Sequence, residues 1–270
     1  MNDPNETSVG ARFRALHSAT PFLIPNPWDA GSARLLQGLG FAALATTSSG
    51  FAMTLGRGDG DVSKKEKLDH CRLLCSVTSI PVSADLEHDF ADDPTGVGET
   101  IREFAAAGVA GGSIEDYSRE RLYDFDEAVE RIEAAAAAAR SLDDDFVLTA
   151  RAEQLLRGSY DLDAVNSRLQ AFAAAGADVL YAPGLRTLDD VQRVAEACDR
   201  PLNVLASMLP GVPLREIAGA GAQRISVGGG FACVAYGEFA RRAEEARDSG
   251  LLDLKPARTA GELIGLLGEG

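Results

Sequence analysis

The chain has 270 residues, 46% of them hydrophobic, and a formal net charge of −15 at pH 7. With so much negative charge and no long run of Lys or Arg, neither nucleic acid nor an anionic membrane is expected as a partner, because like charges repel. No apolar stretch reaches the roughly 18 residues of a membrane span, the opening MNDPNETSVG lacks the features of a signal peptide, and four Cys do not suggest a secreted disulfide framework, so a cytoplasmic protein is expected.

In chain order, a helical segment is predicted from about Val9 to Ala19. Short runs rich in Val, Ile, Leu and Ala then alternate with segments of helical period: FLIPNP from Phe22, FAALATT from Phe41, PVSADLE from Pro81, GGSIED from Gly111, FVLTARAE from Phe146, DVLYAP from Asp178, PLNVLAS from Pro201 and RISVGGG from Arg224. The clearest helices are DEAVERIEAAAAAAR (126–140) and DLDAVNSRLQAFAAAG (161–176), the latter with an acidic start and a Gly stop. Strands apolar on both faces and joined by helices form a parallel sheet, and eight such units predict a closed (β/α)8 barrel. The rival, an open doubly wound sheet, often carries a Gly-rich fingerprint after its first strand, where this chain reads NPWDAGSA. One domain is expected over 1–270, with a C-terminal helical extension over about 231–270.

Barrel enzymes build their sites at the C-terminal strand ends. There the chain places Asp85 and Glu87, Glu115 and Asp116, Arg151 and Glu153, and Asn203, with Asp59 and Asp61 on a long second loop. Such carboxylates would not stay ionised together without a cation, which points to a hard divalent metal such as Mg2+ held by Asp85, with Glu87 and Glu115 holding metal-bound waters. The bland alternative, acids as helix N-caps, suits Asp89, Asp92, Asp93 and Asp116 better than Asp85, which lies inside its run and shares a strand face with Glu87. His88 would face away and pack in its loop. Arg151 needs an anion, either Glu115 or Glu153 or a substrate carboxylate gripped bidentately. Cys71 and Cys75, four apart on a helix, read as packing rather than metal ligands.

In this order and spacing, NPWDAGSA with its later SSG turn, GRGDGD, PVSADLE, SIED and TARAE resemble the isocitrate lyase/phosphoenolpyruvate mutase superfamily over essentially the whole barrel. The resemblance implies a Mg2+ or Mn2+ site at Asp85, Glu87 and Glu115, with Asp59 near the reacting group and Glu115 and Arg151 in catalysis. It further implies a small 2-oxo acid held by Arg151, Asp85, Asn203 and the backbone around Ser48, Ser49 and Gly50, with Trp28 and Asp29 lining the pocket. The implied chemistry is formation of a pyruvate-like enolate. It also implies a C-terminal helix exchanged between subunits of a dimer or tetramer.

The stretch IEDYSRERLYDFDEAV departs from the pattern, since it carries neither the Cys-bearing loop of the isocitrate and methylisocitrate lyases nor the Asn- and Lys-bearing gate of the phosphonopyruvate enzymes. Tyr117, Arg119, Arg121 and Tyr123 are the candidates to replace them. The leading expectation is a Mg2+-dependent lyase cleaving a C–C bond of a small 2-oxo or 2-hydroxy dicarboxylate. The alternatives are a phosphonopyruvate or phosphoenolpyruvate mutase or hydrolase using the glycines of VGGGFACVAYG (227–237), and a protein that binds a 2-oxo acid such as 2-oxoglutarate with little turnover.

Overall fold

A computed structural model describes residues 7–268 except 92, 253 and 256. The expected capping role of Asp92 therefore falls outside the described residues. All eight predicted runs contain strands: β1 Phe22–Ile24, β2 Leu44–Ala45, β3 Val82–Asp85, β4 Gly111–Glu115, β5 Val147–Arg151, β6 Val179–Tyr181, β7 Leu202–Leu205 and β8 Ala222–Ser226. Every ladder is parallel, in the order β1-β8-β7-β6-β5-β4-β3-β2, with helices between successive strands. The fold is an α/β barrel of the TIM type.

The sheet closes at a narrow seam. Ala45 N–H donates to Pro25 C=O at 3.0 Å, and the Asn26 side chain completes the join. Its Nδ2 donates to Thr46 C=O at 3.0 Å, while its Oδ1 accepts the backbone N–H groups of Val227 and Gly228, each at 2.9 Å. One buried amide thus ties together the chain just beyond β1, β2 and β8.

Helix Val9–Leu16 precedes β1 and turns the fully buried Phe13 into a cluster with Ile24, Val147 and Val179 near the starts of the strands. Gly111 is required there, because a Cβ would lie 2.6 Å from Val147 O and 2.9 Å from the Phe13 ring. Outside the sheet, helix Phe125–Arg140 buries Ala135, Ala136, Ala138 and Ala139, small side chains that let it lie close to helix Pro94–Ala106. Asp93 caps the latter as expected, accepting from Thr95 N and Gly96 N.

After β8 the helix Gly230–Ser249 runs off the barrel with only Ala232 buried, leaving Phe231, Val234, Tyr236 and Phe239 exposed. Helix Ala260–Leu267 then packs on helix Ala30–Gly38 of the same chain, where Arg34 Nε donates to Leu267 C=O at 2.7 Å. Among the described residues no helix is long and apolar enough to cross a membrane.

Candidate active site

The C-terminal strand ends converge as the register dictates. Glu115 on β4 stands opposite Arg151 on β5, and Asp85 on β3 stands opposite Ser113, two residues before Glu115. Arg151 Nη1 lies 3.3 Å from Glu115 Oε2 and 3.6 Å from Asp85 Oδ1, and its Nε donates to Glu153. Tyr181 stands beneath the guanidinium, its ring centroid 5.4 Å from Cζ. Glu115 and Glu153 thus partner Arg151 within the chain, and its side chain also borders open space. Asp85 accepts from Ser48 N–H through Oδ2 at 3.2 Å, and Thr46 Oγ1 accepts from the Asp85 backbone N–H at 2.8 Å.

Glu87 differs from its expected place. β3 ends at Asp85, so Glu87 sits beyond the strand in a left-handed turn with φ +54°. Its two oxygens each meet a cation, Lys67 Nζ at 2.8 Å and Arg119 Nη2 at 2.8 Å. Lys67 is fully buried in helix Lys64–Val77, and its ammonium also donates to the Asp85 C=O at 3.1 Å. Sequence reasoning missed it, although Lys67, His70, Cys71 and Leu74 fall at i, i+3, i+4 and i+7 on the buried face of that helix.

Each of these carboxylates also has a basic side chain of the same chain beside it. Asp85, Glu87, Glu115 and Glu153 are matched within the chain by Lys67, Arg119, Arg151 and Arg157. Among the described residues no three His, Cys, Asp or Glu side chains converge to hold an ion, so Asp85, Glu87 and Glu115 do not make an all-protein cage. What fits is a cation held by one or two carboxylates and water. Asp85 and Glu115 share Arg151, and burial, with Glu153, Asp85 and Glu87 nearby, pushes Glu115 up to about 8 despite that guanidinium. A carboxyl so short of positive charge is the donor chemistry a divalent cation satisfies.

Above these groups a cavity of about 320 Å³ is walled by Ser48, Asp59, Glu87, Glu115, Tyr117, Arg119, Arg151 and Arg157. Asp59 and Asp61 enter it from the exposed second loop. Below, a cavity of about 60 Å³ reaches from Asp85 and Arg151 down to Asn203 and Arg224 in the lumen. Asn203 is committed there, accepting from Arg224 Nε at 2.8 Å and donating to Ser226 Oγ at 3.0 Å. A larger cavity of about 690 Å³, lined by Arg14, Asp144 and Asp178, lies at the starts of β5 and β6, the end where barrel enzymes do not place their chemistry.

Several expected site residues have other duties. Asp29 caps helix Ala30–Gly38, accepting from Ser32 N–H at 2.7 Å, and Trp28 C=O contacts His70 Nε2 at 3.1 Å; neither residue lines either of these two cavities. Gly50 N–H donates to its cap, Thr47 Oγ1, and Ser49 Oγ lies 3.2 Å from the same hydroxyl. Of the substitute loop, Tyr117 and Arg119 reach the cavity, whereas Arg121 turns outward to Glu127 and Tyr123 is buried beside Arg131. Asp116 is no helix cap but a buried strut, accepting from Glu153 N–H at 2.7 Å and pairing with Arg168 at 3.0 Å. Asp89 is not a cap either and lies fully buried, while His88 packs near Phe90 with ring centroids 5.4 Å apart. No Cys lines either cavity, and burial pushes the Cys71 thiol up to about 12. The glycines after β8 form a tight turn whose Val227 and Gly228 amides are spent on Asn26, and a Cβ at Gly229 would stand 2.6 Å from Ser49 Oγ.

The sequence profile of the phosphoenolpyruvate phosphomutase family matches residues 13–247. The chain is 31% identical over 207 residues to 2-methylisocitrate lyase of Escherichia coli K12, covering 72% of this chain and 69% of that one. Against oxaloacetate decarboxylase of Paraburkholderia xenovorans LB400 the identity is 33% over 186 residues, 65% of this chain and 60% of that one. A solved structure from Burkholderia cenocepacia J2315, provisionally described as a lyase/mutase, is 45% identical with a TM-score of 0.92, covering 96% and 95% of the two chains. Sequence, barrel and strand-end chemistry agree: the chain is an enzyme of the phosphoenolpyruvate mutase/isocitrate lyase superfamily.

Proposed function

We propose that the chain is a metal-assisted carbon–carbon lyase for a small 2-oxo or 2-hydroxy dicarboxylate. The observation that carries this reading is Arg151, flanked by Asp85 and Glu115 where the two cavities meet: it walls the upper one with Glu115 and the lower one with Asp85. The likeness to a 2-methylisocitrate lyase and an oxaloacetate decarboxylase supports it.

In this reading Asp85 and Glu115 hold Mg2+ or Mn2+ with water, and Glu87 stays with Lys67 and Arg119. The metal, when bound, supplies Lewis-acid stabilisation of the oxo oxygen. Arg151 grips the carboxylate of the 2-oxo acid with its planar fork, and Ser48 N–H keeps Asp85 oriented. For a 2-oxo dicarboxylate that loses its C3 carboxylate as CO2, the electron pair of the broken bond is left as the enolate over C3, C2 and oxygen, with the Arg151 charge beside it. A proton must then reach C3. In this reading Asp59 or Tyr117, both lining the cavity, delivers it, Tyr117 by giving up the hydrogen bond its hydroxyl donates to Arg119 C=O at 2.8 Å. No thiol takes part.

The exposed apolar residues of helix Gly230–Ser249 support a homo-oligomer, a dimer or tetramer in which a second copy covers that helix. The decisive experiment is NMR of the metal-stripped protein with oxaloacetate, pyruvate, 2-oxoglutarate or phosphonopyruvate, with and without Mg2+. Metal-dependent cleavage of a dicarboxylate is the expected result. Release of inorganic phosphate, or binding with no product from any of them, would replace this reading.

A further inference from the structure

Lys67 has no place in the chemistry above, yet it is one of the most enclosed cations in the barrel. Its side chain is 1% exposed, its ammonium is 2.8 Å from Glu87 Oε1, and it donates to the Asp85 backbone carbonyl at 3.1 Å. The other Glu87 oxygen is covered by Arg119 at 2.8 Å. A buried ammonium in such contact is not a loose surface pair. Water does not screen it, and moving it would strand Glu87.

Two consequences follow for an ion approaching Asp85 and Glu115. A carboxylate with a cation on each oxygen has little left to offer a third. Moreover, an unscreened positive charge directly behind Asp85 repels any second cation that docks on the cavity side of that residue. We propose that Lys67 is a positioning residue that withdraws Glu87 from the metal site, so that the chain binds its divalent cation through Asp85 and Glu115 and more weakly than the same site would without the ammonium. The inference rests on the metal-assisted reading of the site. It makes Lys67, on a helix behind the barrel wall, a determinant of how much metal the enzyme needs, beside Arg151 on the cavity side.

The test uses the full-length protein and Mn2+ as probe, with free Mn2+ read by electron paramagnetic resonance and folding checked by circular dichroism. Lys67→Met removes the charge and keeps the bulk, and it is expected to tighten Mn2+ binding roughly tenfold or more. The double variant Lys67→Met, Glu87→Gln removes both members of the buried pair and leaves only the part-exposed Arg119 without its carboxylate, so it tests whether Glu87 is a ligand if the single variant does not fold. It is expected to bind Mn2+ within about threefold of the unaltered protein, because Glu87 contributes no ligand. If Glu87 is a ligand after all, the double variant loses at least tenfold and the inference is overturned. Unchanged or weaker binding by a folded Lys67→Met overturns it too. If the unaltered protein and both variants all fail to bind Mn2+, the metal-assisted reading falls and takes the inference with it. Binding by the unaltered protein with no gain in Lys67→Met condemns the inference alone.

Discussion

Arg151 and Glu115 face each other across the β4–β5 ladder, and the 3.3 Å between Nη1 and Oε2 fixes the guanidinium where it can still meet a ligand. Lys offers a point charge in place of that fork. Arg151→Lys should therefore weaken binding of oxalate, a planar dicarboxylate probe, by about 1.5–3 kcal/mol, or roughly ten- to a hundredfold. Calorimetric titration measures this directly, and equal affinity in the two proteins would remove Arg151 from the binding role.

Asp85→Asn keeps the shape of the side chain and takes away the charge. In the proposed site this variant should lose Mn2+ affinity by more than the roughly 10- to 100-fold typical of an outer partner, with circular dichroism unchanged. Affinity within a few-fold of the unaltered protein would place the metal elsewhere.

The lining of the site was only partly readable in advance. Asp85, Glu115 and Arg151 stood out because charge at the end of an apolar run has few structural explanations. Lys67 did not, because a lysine on an amphipathic helix is ordinarily solvated, and only its spacing to His70, Cys71 and Leu74 betrays a buried position. Nor did the strand period carry to Glu87, since the chain leaves β geometry after Asp85. The eight strands themselves were legible from apolar runs bounded by Gly and Pro. The seam at Asn26 was not, because an amide that closes a barrel looks in sequence like any turn residue.

Asp89 is expected to weaken the protein. It adopts φ +67°, is fully buried, and neither side-chain oxygen has a hydrogen-bond partner. Burial pushes its carboxyl well above the usual range. Asp89→Gly removes both the strained conformation and the buried acid, each costing about 1–2 kcal/mol. A rise in Tm of at least about 2–4 °C is expected by calorimetry; a fall would show that the carboxyl has a stabilising contact.

Two imidazoles limit stability on the acid side. Burial, with Arg224 close by, pushes His17 down to about 3, and burial with Lys67 pushes His70 down to about 4. In the unfolded chain both titrate near pH 6.5. Below that value the unfolded state binds protons that the native state refuses, so stability falls from about pH 6.5 until the native groups titrate near 4 and 3. At pH 5 each costs about 2 kcal/mol relative to pH 7.5. Urea denaturation at the two pH values should show this loss, and His17→Gln and His70→Gln should each reduce it. A loss of the same size in both variants would rule the histidines out.

Phe239 and Val234 are 72% and 71% exposed on helix Gly230–Ser249. Replacing both by Glu should convert the proposed oligomer to a monomer in light scattering after size-exclusion chromatography. A monomeric unaltered protein would refute the expectation outright.

The amide of Asn26 has a consequence for how the chain is made. Its oxygen receives the N–H groups of Val227 and Gly228, which emerge from a ribosome some 200 residues after it does. Until then the seam between the two earliest strands rests on the Ala45–Pro25 and Asn26–Thr46 bonds alone, and the growing chain is an open, curved sheet with exposed edges at β1 and β7. The last strand to be synthesised is thus the latch that closes the ring between β7 and β1 and completes the Asn26 seam. A chain cut short before residue 227 would hold most of the site's residues and lack the contact that holds them in a ring.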